Sequence, residues 1–134
     1  MNPIFHELFQ LTRSMSKELN NVLKEHDLFN AQWTVLFCIQ QHEEMMLKDI
    51  CTYLNVEAPT ITRTVNRLQE LGWIIITPGE DKREKIVRLS DDAKRKFPSI
   101  EKTVINFENQ FLQQLSNNEQ SVLLTLLQKL DMKG

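Results

Sequence analysis

Residues 58–90 read APTITRTVNRLQELGWIIITPGEDKREKIVRLS, and the fold turns on how that stretch is read. Its first half has helical spacing. Pro59 stands at an early helical position, where the N–H it lacks would be unpaired anyway. Gly72 stands where a helix C-terminus favours glycine. Between them, Ile61, Val65 and Leu68 form an apolar stripe. Thr60, Arg63, Thr64 and Arg67 recur at i, i+3, i+4 and i+7 on another face. This helix therefore packs with one side and presents hydroxyls and guanidiniums on the other. The second half changes period. WIIIT and IVRL are rich in β-branched residues and read as two strands, with PGEDKREK as a charged turn between them.

Upstream, Leu47, Ile50 and Leu54 predict a helix of about three turns. NVEA joins it to the next helix, and EEMM before it reads as a short edge strand. Asn30 is placed to cap a helix over Ala31–His42 whose inward face holds Val35, Leu36 and Ile39. Residues 5–26 form one long helix on the recurrence of Phe5, Leu8, Thr12, Met15, Leu19, Val22 and His26. Downstream, Ser90 caps a helix, with Asp91 and Asp92 complementing the dipole of its first turn. Phe97, Ile100, Val104, Phe107, Phe111 and Leu115 give it one stripe, and Pro98 predicts a kink inside it. SNNE is a capping box, Ser116 to Glu119, opening a last helix with Leu123, Leu126, Leu127 and Leu130 on its inner side.

Four helices, a hairpin and two more helices make a mainly α chain with a small β-hairpin wing. The two short helices followed by the hairpin match a winged helix-turn-helix over residues 28–90. Segments 1–27 and 91–134 form a helical part whose spare apolar faces suit a homodimer. The chain has 134 residues, 41% of them hydrophobic, enough for one core. The N-terminal MNPIFHELFQ carries an acid and no cleavage-site pattern. No apolar run approaches the ~20 residues of a membrane span, so the expected location is the cytoplasm.

Net charge is −2, but the charge is unevenly spread. Residues 60–96 hold more Lys and Arg than Asp and Glu, and the remainder is acidic. A local basic surface is what a DNA-facing element needs, because phosphate attraction is local. On the exposed helix face Arg63 can bond guanine bidentately, Thr60 can bond a base or a phosphate, and Arg67 is placed for a phosphate. In the turn, Arg83 flanked by Lys82 and Lys85 suits a wing tip entering the minor groove. Asp81 would orient Arg83 through a charge-assisted hydrogen bond. Two other readings remain open at this point: a winged-helix module serving a protein partner without specific DNA binding, and a plain amphipathic surface with solvated charges.

Catalytic and metal-binding constellations are not found. The sequence shows no nucleophile–base pairing and no glycine-rich phosphate loop, and Asp91–Asp92 is explained as helix capping. His6, His26 and His42 are scattered, so no metal site and no cofactor is expected. Cys38 and Cys51 read as reduced, buried thiols rather than redox sensors.

These features resemble the multiple antibiotic resistance regulator (MarR) family of bacterial transcription factors over nearly the whole chain. DKREKIVRLS is similar to the family's wing pattern at Asp81, Arg83, Leu89 and Ser90. NAQWTVL resembles the opening of its second helix, and APTITRTVNRLQELGWI its recognition helix and exit. One departure is Glu57, where the family often has a small capping hydroxyl. The resemblance implies a repressor that binds a palindromic operator as a homodimer. It places Pro59, Thr60 and Arg63 at the major groove and Arg83 in the minor groove. The expected DNA-contacting set is Pro59, Thr60, Thr62, Arg63, Arg67, Lys82, Arg83 and Lys85, with Asp81 orienting the wing. The resemblance also implies a small aromatic or anionic effector, with His6, Phe9, Arg13, Trp33 and Phe37 as candidate pocket residues.

Overall fold

The computed structural model describes residues 1–130, so the expectation of dimerisation helix over 131–134 lies outside it. The element order is α1 (Pro3–Leu23), a 3-10 turn (Lys24–His26), α2 (Asn30–His42), β1 (Glu44–Met46), α3 (Leu47–Leu54), α4 (Ala58–Glu70), β2 (Ile74–Pro78), β3 (Lys85–Leu89), α5 (Asp91–Leu112) and α6 (Asn117–Lys129). The fold is mainly helical with one antiparallel sheet in the order β1-β3-β2.

The apolar stripe of α4 is buried as its spacing requires: Ile61, Val65 and Leu68 are all buried. The helix ends in a tight double closure. Gly72 adopts φ +85°, its N–H donates to the Gln69 carbonyl at 3.0 Å, and the Trp73 N–H donates to the Leu68 carbonyl at 2.9 Å. Left-handed backbone of this kind is easiest for glycine, which has no Cβ to clash. The chain then enters β2 and returns through β3, with Ile74 opposite Leu89 and Pro78 opposite Lys85. At the exit the Ser90 hydroxyl does two things. It accepts the Ala93 N–H at 3.1 Å, capping α5, and it donates to the Gly72 carbonyl at 2.8 Å.

One core joins all of this. Val35, Leu36 and Ile39 of α2 meet Ile50 of α3, the α4 stripe, Val87 and Leu89 of β3, and Phe97, Ile100 and Val104 of α5. The EEMM segment is the expected edge strand. Met45, opposite Val87, faces the core, while Glu44, opposite Arg88, faces solvent.

Five expectations are corrected. The first helix stops at Leu23 rather than residue 26, because Asp27 turns left-handed at φ 57° and His26 sits in a 3-10 turn. Asn30 is not a cap but the first residue of α2; its N–H donates to Asn20 Oδ1 of α1 at 2.6 Å, and Gln32 Oε1 accepts the Phe29 N–H at 2.9 Å. α3 has 8 residues, nearer two turns than three, because Asn55 closes it at φ 56°. Cys38 is buried, with its thiol 3.2 Å from Met45 Sδ, but Cys51 is only half-buried. The α6 leucines expected inside are exposed, Leu123 at 41% and Leu126 at 51%, since nothing else in the chain covers them among the described residues. The capping box of α6 is present, with Ser116 and Glu119 bonded reciprocally at 3.1 and 2.9 Å. α5 runs as one helix through Pro98, where the Lys94 carbonyl forgoes its usual donor.

Leu68 is fully buried at the meeting of α4 with the rest of the core, so truncation leaves a cavity that close-packed neighbours cannot fill. Leu68→Ala is expected to cost about 2–5 kcal/mol in urea unfolding followed by circular dichroism. A loss below ~1 kcal/mol would mean that this core is not as tightly packed as described.

Candidate nucleic-acid interface

Burial of Ile61, Val65 and Leu68 sets the rotation of α4, and its opposite side is left open. Pro59, Thr60, Arg63 and Arg67 are exposed and Thr62 is half-buried. Asn66 and Gln69 share the open side. They belong to the same helical face and follow from its spacing, although only the arginines stand out in the sequence. The hydroxyl of Thr64 is occupied locally, donating to the Thr60 carbonyl at 3.0 Å. Arg67 donates to Glu70 at 3.1 Å, an exposed pair of little energetic consequence. Arg63 has no salt-bridge partner among the described residues. Glu57 occupies the N-cap position, yet its side chain caps nothing. Its carbonyl takes the first helical bonds, from Thr60 at 3.1 Å and Ile61 at 3.2 Å.

The wing is a tightly closed turn. The Gly79 N–H donates to the Glu84 carbonyl at 2.9 Å, and the Glu84 N–H to the Asp81 carbonyl at 2.8 Å. A Cβ at Gly79 would stand 2.8 Å from the Glu84 Cβ, so this close crossing requires glycine. Inside the turn the Asp81 carboxylate holds Arg83 twice. One oxygen accepts the Arg83 backbone N–H at 3.0 Å and the other accepts the guanidinium at 3.3 Å. These bonds, the backbone one first, hold the Asp81 carboxyl below the usual aspartate value. The Arg83 side chain remains 91% exposed at the tip. Lys82 and Lys85 flank it in the open.

The helix and the wing meet. A groove of about 270 Å³ runs between α3, the start of α4 and the turn end of the wing. Thr62 lines it from the helix, and Arg83, Glu84 and Lys85 from the wing. Lys48 and Cys51 of α3 line it too, and neither was singled out as a contact residue by the sequence.

The effector candidates are more dispersed. His6, Phe9 and Arg13 are exposed on α1, and Arg13 donates to Gln10 of its own helix at 2.6 Å. Trp33 is buried, its ring 5.1 Å from Phe97 and 5.9 Å from Phe37. A cavity of about 520 Å³ beside α1 is lined by other residues, among them Met15, Leu19, Asn30, Phe107 and Phe111. His42, followed by Glu43 and Glu44, has Nδ1 2.8 Å from the Cys38 carbonyl and its ring edge-on to Tyr53, while His26 Nε2 lies 3.5 Å from the Glu25 carboxylate. No described helix is long and apolar enough to cross a membrane.

A helix pair presenting an arginine-bearing face beside a cationic hairpin defines the class as a winged helix-turn-helix protein. The MarR family model matches residues 28–85. The chain is 42% identical over 109 residues to the uncharacterized HTH-type transcriptional regulator YwoH of Bacillus subtilis, covering 81% of this chain and 80% of that one. It shares its fold with a cysteine-to-serine mutant of MarR from E. coli complexed with operator DNA, at TM-score 0.89 and 24% identity, over 96% and 93% of the two chains. Overoxidized AbfR bound to DNA superposes at TM-score 0.79 with 21% identity, over 96% and 90%. The chain belongs to the MarR family of transcriptional regulators.

The lowered Asp81 pKa has a definite sign. The tether on Arg83 is complete above the ordinary aspartate value and is lost as pH falls through the depressed one. In an acid titration by ¹⁵N-HSQC, the Arg83 amide is expected to shift with a midpoint below that of a free aspartate. It should not shift near neutrality. A midpoint at or above the ordinary aspartate range would mean that the wing turn is not held by Asp81.

Proposed function

We propose that this chain is a repressor that binds a palindromic operator as a homodimer. Each α4 lies in the major groove and each wing enters the neighbouring minor groove. The observation that carries this reading is the shared groove. It joins the start of α4, at Ala58 and Thr62, to the turn end of the wing, so α4 and the exposed Arg83 border one surface. In this arrangement Arg63, free of any described carboxylate, reads a base edge, with Pro59, Thr60 and Thr62 beside it. Arg67, Lys82 and Lys85 take phosphates, which set register rather than sequence. Arg83, oriented by Asp81, occupies the minor groove. Glu57 is the unfavourable charge on this face and weakens attraction where it lies.

The homodimer rests on the exposed apolar residues of the ends. Ile4, Phe5, Phe9 and Leu11 of α1 are exposed, as are Val122, Leu123, Leu124, Leu126 and Leu127 of α6. No described residue of α6 is buried. A 13-residue helix with nothing to pack on is marginal in water. A second copy supplies the missing surface. Residues 1–27 and 91–134 are then the dimerising part and 28–90 the DNA-reading part. A dimer sets the two recognition helices about one DNA turn apart, ~34 Å. The cavity of about 520 Å³ between α1, α2 and α5 is the place for a small aromatic or anionic effector. A ligand there changes DNA affinity only to the extent that it prefers one spacing of the two recognition helices.

Two experiments test these points. In fluorescence anisotropy with duplex from immediately upstream of the coding region, Arg83→Ala is expected to weaken binding well beyond tenfold while leaving the thermal transition intact. Unchanged affinity would remove the wing from the interface. In sedimentation velocity at micromolar concentration the wild type is expected as a dimer, and Leu127→Glu as a monomer. A wild-type monomer would end the palindrome argument.

A further inference from the structure

The groove between α3, α4 and the wing is lined by cations from two separate elements, Lys48 of α3 and Lys85 of β3. Lys48 is the second residue of α3, where the helix dipole disfavours positive charge. It is exposed and takes part in no salt bridge among the described residues, and neither does Lys85 across the groove. Arg83 and Lys85 stand on the wing side of the same groove, Thr62 on the α4 side, and a single acid, Glu84, lines it with them. The lining is therefore net positive and faces the same continuous surface as the α4 contacts.

We infer that this groove seats a backbone phosphate of duplex DNA, held between Lys48 of α3 and Lys85 of β3 with the Thr62 hydroxyl beside it. The inference deepens the DNA-binding reading and rests on it. It gives the first helix of the helix-turn-helix pair a direct contact, in keeping with its general position across the DNA backbone. The contact is to the backbone, so it contributes affinity and register on any sequence.

The test compares wild type with Lys48→Gln on the upstream duplex and on a scrambled duplex of equal length, over a salt series. The variant is expected to lose affinity for both duplexes by the same factor. The slope of log K against log salt should become shallower by about 0.9 for each protomer. The ratio between duplexes should stay as it was, and the thermal midpoint should stay or rise, because a charge opposed to the helix dipole has gone. Unchanged affinity and slope, or a changed ratio between the duplexes, would overturn the inference. Cys51 supplies an independent reporter, since it lines the groove and the other thiol is buried. Saturating duplex is expected to slow maleimide alkylation of Cys51 severalfold; an unchanged rate with DNA bound would also overturn it. Wild type that binds neither duplex even at low salt would refute the DNA-binding reading itself, and the phosphate seat with it.

Discussion

The Ser90 hydroxyl links the end of α4, the base of the hairpin and the start of α5 at one point. It donates to the carbonyl of Gly72, where α4 ends, and it accepts from Ala93, where α5 begins. Its own N–H donates to the Trp73 carbonyl at 2.9 Å. The chain thus leaves α4, travels out along β2, returns along β3, and is fastened at the point of departure. A hairpin on its own is marginal in water, and this closure with the core contacts of Ile74, Val87 and Leu89 makes it a fixed arm. The direction of the wing relative to α4 depends on that closure. So does the start of α5, the helix that carries the domain toward the chain end.

The parts of this fold that were legible in sequence are those whose chemistry is local. Pro59 and Gly72 bracket α4 correctly because each acts through its own backbone. Ser90 and the Ser116–Glu119 box cap the helices they precede for the same reason. The hairpin was visible because β-branched runs around a polar turn have few other outcomes. Some of what escaped was a local left-handed turn, at Asp27 and Asn55, and the rest depended on distant residues. Asn30 looks like a cap, but the Asn20 side chain of α1 reaches its N–H and changes its role. The α6 leucines look like core, but the described chain has no remaining element to cover them.

The candidate site divides along the same line. Arg63 and Arg83 were identifiable from the spacing of one helix and the composition of one turn. The tether from Asp81 was readable because its partner is two residues away. Lys48 was not readable, since a lysine on a two-turn helix resembles any solvated surface residue. Only the folded chain brings it to the same groove as Lys85, far away in sequence. The cavity proposed for an effector was the least accessible of all. An aromatic on an apolar helix face serves the core unless a cavity is seen beside it, and Trp33 stacked on Phe97 shows that use.

The double hold of Asp81 on Arg83 also has a bearing on which DNA shapes a wing of this kind can accept. A free arginine at a loop tip samples many rotamers and adapts its reach to whatever groove it meets, losing that freedom on docking. Arg83 has surrendered a little of it beforehand, chiefly through its backbone N–H, since its guanidinium bond to the same carboxylate is an exposed pair. A stiffened side chain docks with a smaller entropic loss where groove width suits its preset reach, and it adapts poorly elsewhere. In the proposed complex the tether would favour grooves whose width suits that preset reach, and width varies with base composition even where no base edge is touched.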